Sequence, residues 1–313
     1  MNVAPKMAAT PSRMTLDAVV SGNLEKPRRI LVYGVEGVGK SSFAAEADRP
    51  IFVCPEDGTA HLDVPRFPEP RSWPEVLEAI QTLTAVEHNY RHVVFDTLDW
   101  IEPLIWQFIC QRDKQENIES YGYGRGHVAA LDEWRLFVAR LERLRAERGM
   151  HVILLAHSWI KTFKSPESAD FDRYEMKLNQ KAAGLLREWS DAVCFANYET
   201  YAHEDRNKRV RGISTGARLL FTQRSAAYDA KNRFNLPPQL PLDWHAFTEA
   251  VAANRPADVA TITARITELL ADAPDELREK VRAAVAKAPT DAAYLARVLN
   301  RLAATVSTQE IAR

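Results

Sequence analysis

The stretch GVEGVGKS, from Gly34 to Ser41, sets glycines, a lysine and a hydroxyl at the spacing G-x-x-x-x-G-K-[ST]. Residues of these types suit phosphate. Glycines let successive backbone N–H groups curl around phosphate oxygens, and a helix starting just behind them adds partial positive charge. The expected cradle is Gly34, Val35, Glu36, Gly37, Val38, Gly39, Lys40, Ser41 and Ser42. Lys40 is placed to bridge β- and γ-phosphates and Ser41 to hold Mg²⁺. ATP and Mg²⁺ are the cofactors this pattern calls for. A second stretch, HVVFDTLD, ends an apolar run on Asp96, where a carboxylate can hold the Mg²⁺ water shell or, alternatively, cap the next helix.

Thr97 follows Asp96, so the glutamate that many ATPases place there to activate water is absent. The base must come from elsewhere, or hydrolysis is slow. Glu56, after IFVCP, is the expected base, with Asp57 as the rival and a solvated turn carboxylate as the plain alternative. His157 closes VILLAH and is expected to face the γ-phosphate as a sensor, unless it is simply a satisfied histidine at a strand end. No His or Cys spacing calls for a metal other than Mg²⁺.

These residues need a frame, and the chain supplies one. RILVYG, PIFVCP, HVVFD, HVILLAH and DAVCFANYE are apolar runs separated by helical segments. That alternation predicts right-handed crossovers and a mainly parallel sheet, covered on both faces. HEDRNKRVRG then reads as a polar turn, and ARLLFTQ as part of an antiparallel edge. The expected division is a flexible segment over 1–26, an α/β core over 27–243 and a C-terminal helical region over 244–313. Cys54, Cys110 and Cys194 lie far apart, without a CxxC pair, and read as reduced thiols. The net charge of −1 provides no global attraction to nucleic acid or membrane. No apolar run reaches the ~20 residues of a membrane span, and a cytoplasmic location is expected.

The order of these features resembles the RecA-type recombinase core, and within it the bacteriophage-encoded RecA-like ATP-binding proteins that include single-strand annealing ATPases. The resemblance covers about Arg29 to Pro238, with FVCPEDG, LLAHS and YDAKNRF narrowing it. It implies a RecA-like P-loop NTPase core with a small helical module appended. It also implies two DNA-binding loops. The first is YGYGRGH, Tyr121 to His127, expected to be mobile, with Tyr121 and Tyr123 stacking on bases and Arg125 meeting phosphate. The alternative there is an exposed loop whose tyrosines pack back on the core. The second is Ser158 to Lys177, carrying Lys161 and Lys164. Lys231 and Arg233, in DAKNRF, correspond to cations that reach the ATP of a neighbouring subunit, or else form a solvated basic edge.

The implied function is Mg-ATP binding with slow hydrolysis, single-stranded DNA binding, and annealing or exchange of strands in phage recombination. A homo-oligomer, ring or filament, is expected. A ring helicase or loader, and a nucleotide switch that does not touch DNA, are the competing readings. From Trp244 to Arg313 there are nine acids and nine bases, so the tail has no bias toward DNA. It is expected to pack, to make oligomer contacts, or to bind a partner such as a single-strand-binding protein.

Overall fold

A computed structural model of the chain describes residues 14–20, 24–164, 169–204, 210–254, 259–271 and 273–311. Two units divide it, Lys26–Arg255 and a second formed by Met1–Glu25 with Pro256–Arg313. In the first, strands β1 (Arg29–Gly34), β2 (Pro50–Val53), β3 (His92–Phe95), β4 (His151–Phe163) and β6 (Ala192–Glu204) lie in the order β2-β3-β4-β1-β6, all parallel. β7 (Val210–Phe221) and then β9 (Gln239–Pro241) extend the sheet antiparallel beyond β6. The α/β class and mostly parallel sheet predicted from the alternating pattern are the observed architecture.

The apolar strand runs follow from burial on both faces. Along β1, Leu31 and Tyr33 enter one core while Ile30 and Val32 enter the other, as the two-residue repeat of a strand requires. The first core is completed by α2 (Trp73–Ala85), α3 (Leu98–Arg112), α4 (Arg125–Arg148) and α5 (Gln180–Trp189), through Trp73, Ile101, Trp134 and Leu186 among others. The second is completed by α1 (Lys40–Ala45) and α6 (Trp244–Ala253), where Trp244 and Phe247 meet the Phe43 ring at 5.3 and 5.9 Å. Helix α6 therefore belongs to the core unit, beyond the boundary at residue 243 that the proline-rich stretch suggested. Two aromatic rings against α1 outweigh the break in composition.

Two expected loops are regular structure. β4 does not stop at His157. It runs on to Phe163 and pairs antiparallel with β5 (Phe171–Met176), Ser158 opposite Met176 and Phe163 opposite Phe171. Apolar Trp159, Ile160 and Phe163, interleaved with Ser158, Lys161 and Thr162, make this a two-stranded projection instead of a free loop. The glycine-rich stretch is equally ordered. Ile118–Tyr121 forms a 3₁₀ turn, Gly122, Tyr123 and Gly124 take φ of 68°, 50° and 67°, and α4 begins at Arg125. The glycines serve a left-handed turn. A Cβ at Gly126 would sit 2.3 Å from the Ile118 carbonyl oxygen, which fixes the close approach of turn and helix.

The second unit contains a 3₁₀ turn at Leu16–Ala18 and helices α7 (Val259–Leu269), α8 (Asp275–Lys287) and α9 (Ala292–Ile311). Ile262, Ile266, Val281, Leu295 and Leu302 give the helices their own small core. Of the segment expected to be flexible, residues 1–13 and 21–23 lie outside the described residues, as do 205–209 of the polar turn. No described helix is long and apolar enough to cross a membrane.

Candidate active site

Strand β1 delivers the phosphate loop between two parallel neighbours, with Gly34 opposite His157 on one side and Ala196 on the other. The backbone turns into α1 at Gly39, whose φ of 102° is a glycine conformation. Lys40 is 5% exposed, and its Nζ donates to the carbonyls of Gly34 at 3.2 Å and Val35 at 3.0 Å. Burial lowers its pKa, an effect opposed by Asp96, Asp99, Glu56 and Glu36. The ammonium is thus held inside the curl of the loop, facing carboxylates, where phosphate oxygens would be its natural partners.

Asp96 follows β3 and is 2% exposed. Burial raises its pKa, and the Ser41 hydroxyl, Lys40 and His157 pull it back. A buried carboxylate bonded to a loop hydroxyl fits Mg²⁺, a hard cation that takes oxygen ligands and would keep Asp96 ionised. Ser41 and Asp96 are the residues that would hold it. Glu56 lies beyond the end of edge strand β2, yet it feels Asp96, Asp99, Lys40 and His157. Its pKa is raised, first by burial and then by the two aspartates, against His157 and Lys40. A half-buried carboxylate with raised basicity beside the phosphate lysine is suited to orient and deprotonate water.

His157 has a partner that the sequence reading did not assign. Its Nδ1 lies 2.8 Å from Asp99 Oδ2, and its backbone N–H donates to Asp99 Oδ1 at 2.9 Å. Burial raises the Asp99 pKa, but these bonds outweigh it and hold the carboxylate below its ordinary value. One turn along α3, Glu102 accepts the backbone N–H of Asn179 with both oxygens, at 3.1 and 3.0 Å. Asn179 caps α5, just past the end of β5. Helix α3, which starts two residues after Asp96, therefore grips both ends of the β4–β5 hairpin.

The family described as an AAA domain matches residues 26–234, well over half of the chain. The chain belongs to this AAA-domain family. It is accordingly a P-loop protein with a nucleotide-binding ATPase domain. No curated protein matches the chain.

Two further side chains of the AAA domain meet the phosphate loop. The Tyr198 hydroxyl, on β6, donates to the Gly37 carbonyl at 3.0 Å. Arg218, opposite it on β7, lies over Gly39, where an added Cβ would be 2.5 Å from Nη1. The Arg218 guanidinium is exposed and makes no hydrogen bond or ion pair among the described residues. Both lie in segments read correctly as strand. Only the antiparallel register of β6 and β7 shows that they face the loop.

The other predicted residues are spread out. Tyr121 packs against the first core, and its hydroxyl reaches the Ile109 carbonyl at 2.9 Å and Asp113 at 2.7 Å. The expectation of a free stacking face is corrected there: the turn folds Tyr121 inward. Tyr123 is fully exposed and Arg125 is exposed at the start of α4. Lys161 is exposed on β4, with Glu175 at 3.9 Å, and Lys164 is exposed just past its end; residues 165–168 of the second expected loop lie outside the described residues. Lys231 opens the two-residue strand β8 (Lys231–Asn232), paired with Val193 at the start of β6, the sheet end away from Gly34. Its Nζ donates to the carbonyls of Arg187 at 3.1 Å and Glu188 at 2.7 Å, while Arg233 lies 3.3 Å from Asp191.

Proposed function

We propose that this AAA-domain protein is a Mg-ATP-dependent, slowly hydrolysing RecA-like ATPase that binds single-stranded DNA and promotes annealing or exchange of strands in phage recombination. Lys40 neutralises the β- and γ-phosphates, and the loop N–H groups orient them. Ser41 and Asp96 would hold Mg²⁺, which would supply neutralisation of phosphate charge. Glu56 takes the proton of the attacking water. His157 senses the γ-phosphate and hands the change to the hairpin.

The observation that carries the DNA part is the grip of α3 on the hairpin. Asp99 with His157, and Glu102 with Asn179, tie the nucleotide site to both ends of a projection bearing exposed Trp159, Lys161 and Lys164. Tyr123 and Arg125 offer a second exposed aromatic and cation. Aromatic faces interleaved with cations suit single strands, since bases stack and phosphates pair. A homo-oligomer with Lys231 and Arg233 reaching a neighbour's γ-phosphate belongs to the same reading. It requires both side chains to give up the partners they hold within their own chain.

Steady-state ATP hydrolysis and oligonucleotide anisotropy, each with and without the other ligand, test the proposal. It expects strand binding that ATP strengthens, with hydrolysis remaining slow. Strong stimulation by DNA with directional unwinding would favour a motor, and no strand binding would leave a nucleotide switch.

A further inference from the structure

A cavity of about 330 Å³ has no residue from Gly34 to Ser42 in its lining. Its walls are β4 and β5, Tyr33 of β1, α5 from Gln180 to Arg187, and the segment leading into β8. Its charged lining is Lys161, Arg173, Glu175, Arg187, Arg224 and Asp229, four cations against two carboxylates. Asp229 is the shared acid. Arg187 pairs with it directly, Arg224 Nε stands 3.7 Å from it, and Arg173 Nη2 stands 3.9 Å from it. Its backbone is fixed by the hydroxyl of Tyr33, which bonds both the Asp229 N–H and carbonyl.

Arg173 is the unusual member. It is only 6% exposed, and its guanidinium lies over the Phe163 ring, 5.0 Å from the centroid. Its Nε and Nη2 are buried with no hydrogen-bond partner. Those two nitrogens form one edge of the guanidinium, the edge that donates two parallel bonds to an oxyanion. Leaving a buried guanidinium edge unpaired is costly, and the nearest carboxylate is already engaged. The cavity therefore offers a prepared fork, surplus positive charge and room for a ligand.

We propose that this cavity is a second oxyanion site, taking a phosphate group carried by a nucleotide, either free or within a single strand. Trp159 favours a phosphate attached to a base over a bare anion. It lies opposite Glu175 on the hairpin, on the same face as the Lys161–Arg173 and Phe163–Phe171 pairs, and is 46% exposed. Two-residue spacing along a strand keeps these side chains on one side. The site does not depend on the DNA reading above, because a mononucleotide reports on the cavity even when no strand binds.

The test uses the full chain with Lys40→Ala, which silences the phosphate loop, and compares it with the same chain also carrying Arg173→Met. Thymidine monophosphate and a dT oligonucleotide are titrated separately, read by tryptophan fluorescence and by the rise in Tm. The expected result is saturable binding in the first protein, weakened at least tenfold in the second. Without ligand, Arg173→Met should melt at the same or a higher temperature, since methionine removes a buried cation whose Nε and Nη2 make no hydrogen bond, and Asp229 keeps Arg187. Loss of the mononucleotide response identifies a free nucleotide as ligand, and loss of the oligonucleotide response alone identifies a strand. Arg224→Gln, at a side chain 70% exposed, spares the fold and should weaken the same response severalfold. No binding to either probe, or binding that both substitutions leave unchanged, overturns the proposal.

Discussion

Glu102→Gln should make the protein more stable at alkaline pH and leave it nearly unchanged at acid pH. Glu102 is 5% exposed, and burial pushes its carboxyl from the ordinary 4.5 up to about 7. Its hydrogen bonds from Asn179 only partly offset that burial. With the folded value raised, the unfolded chain releases this proton first as pH rises. Stability is therefore lost between 4.5 and 7, and the penalty is complete above 7. The gap of 2.5 (7 − 4.5), at about 1.4 kcal/mol per pH unit, makes ionised Glu102 cost about 3.5 kcal/mol. Glutamine keeps a carbonyl acceptor for the Asn179 N–H and carries no charge. For a unit the size of Lys26–Arg255, about 2–4 °C per kcal/mol predicts a Tm gain of roughly 7–14 °C at pH 8. At pH 5, just above 4.5, the gain should shrink to about a quarter of that. Thermal melts of both proteins across pH 5 to 8 decide it, and a Tm difference that does not change with pH refutes the reasoning.

Acid should act in the opposite sense through His151, whose pKa burial and the nearby His92 depress to about 4. Neutral His151 is favoured in the fold, so stability falls as pH drops from 6.5 toward 4, and His151→Gln should flatten that decline in urea midpoints. Tyr121→Phe should cost about 1 kcal/mol of stability through its lost hydroxyl bond, measured by urea unfolding. Tyr123→Ala should leave stability unchanged but weaken oligonucleotide binding by ~1–3 kcal/mol in anisotropy titrations. Arg218→Ala should weaken ATP binding by about 1.5–3 kcal/mol, the scale of a charge-assisted bond, without lowering Tm; unchanged calorimetric affinity would show that Arg218 only covers Gly39.

The sequence was most legible where one local pattern has one physical cause. The spacing from Gly34 to Ser41 and the apolar run into Asp96 pointed to the phosphate loop and its acidic partner, because both depend on neighbours in the chain. Continuous apolar strands foretold a sheet covered on both faces. What stayed hidden depends on register. Asp99 stood in HVVFDTLD without a role, and only the packing of α3 beside β4 puts it on His157. Arg218 and Tyr198 met the phosphate loop through antiparallel pairing more than 150 residues away. The hairpin was expected as a loop because the resemblance implied one after His157, although the apolar and polar residues interleaved from Ser158 to Phe163 suit a paired strand. Tyr121 and Tyr123 looked equivalent, and a left-handed turn between them sends one inward and the other out.

The Mg-ATP site proposed at Lys40, Ser41 and Asp96, with water activated by Glu56, is tested most directly by calorimetric ATP binding with and without Mg²⁺, measured beside single-turnover hydrolysis in the natural chain, Lys40→Ala and Glu56→Gln. Mg²⁺-dependent binding is expected in the natural chain, with binding lost in Lys40→Ala, and binding kept but turnover slowed at least tenfold in Glu56→Gln. ATP binding that survives Lys40→Ala, or turnover undiminished in Glu56→Gln, would contradict it.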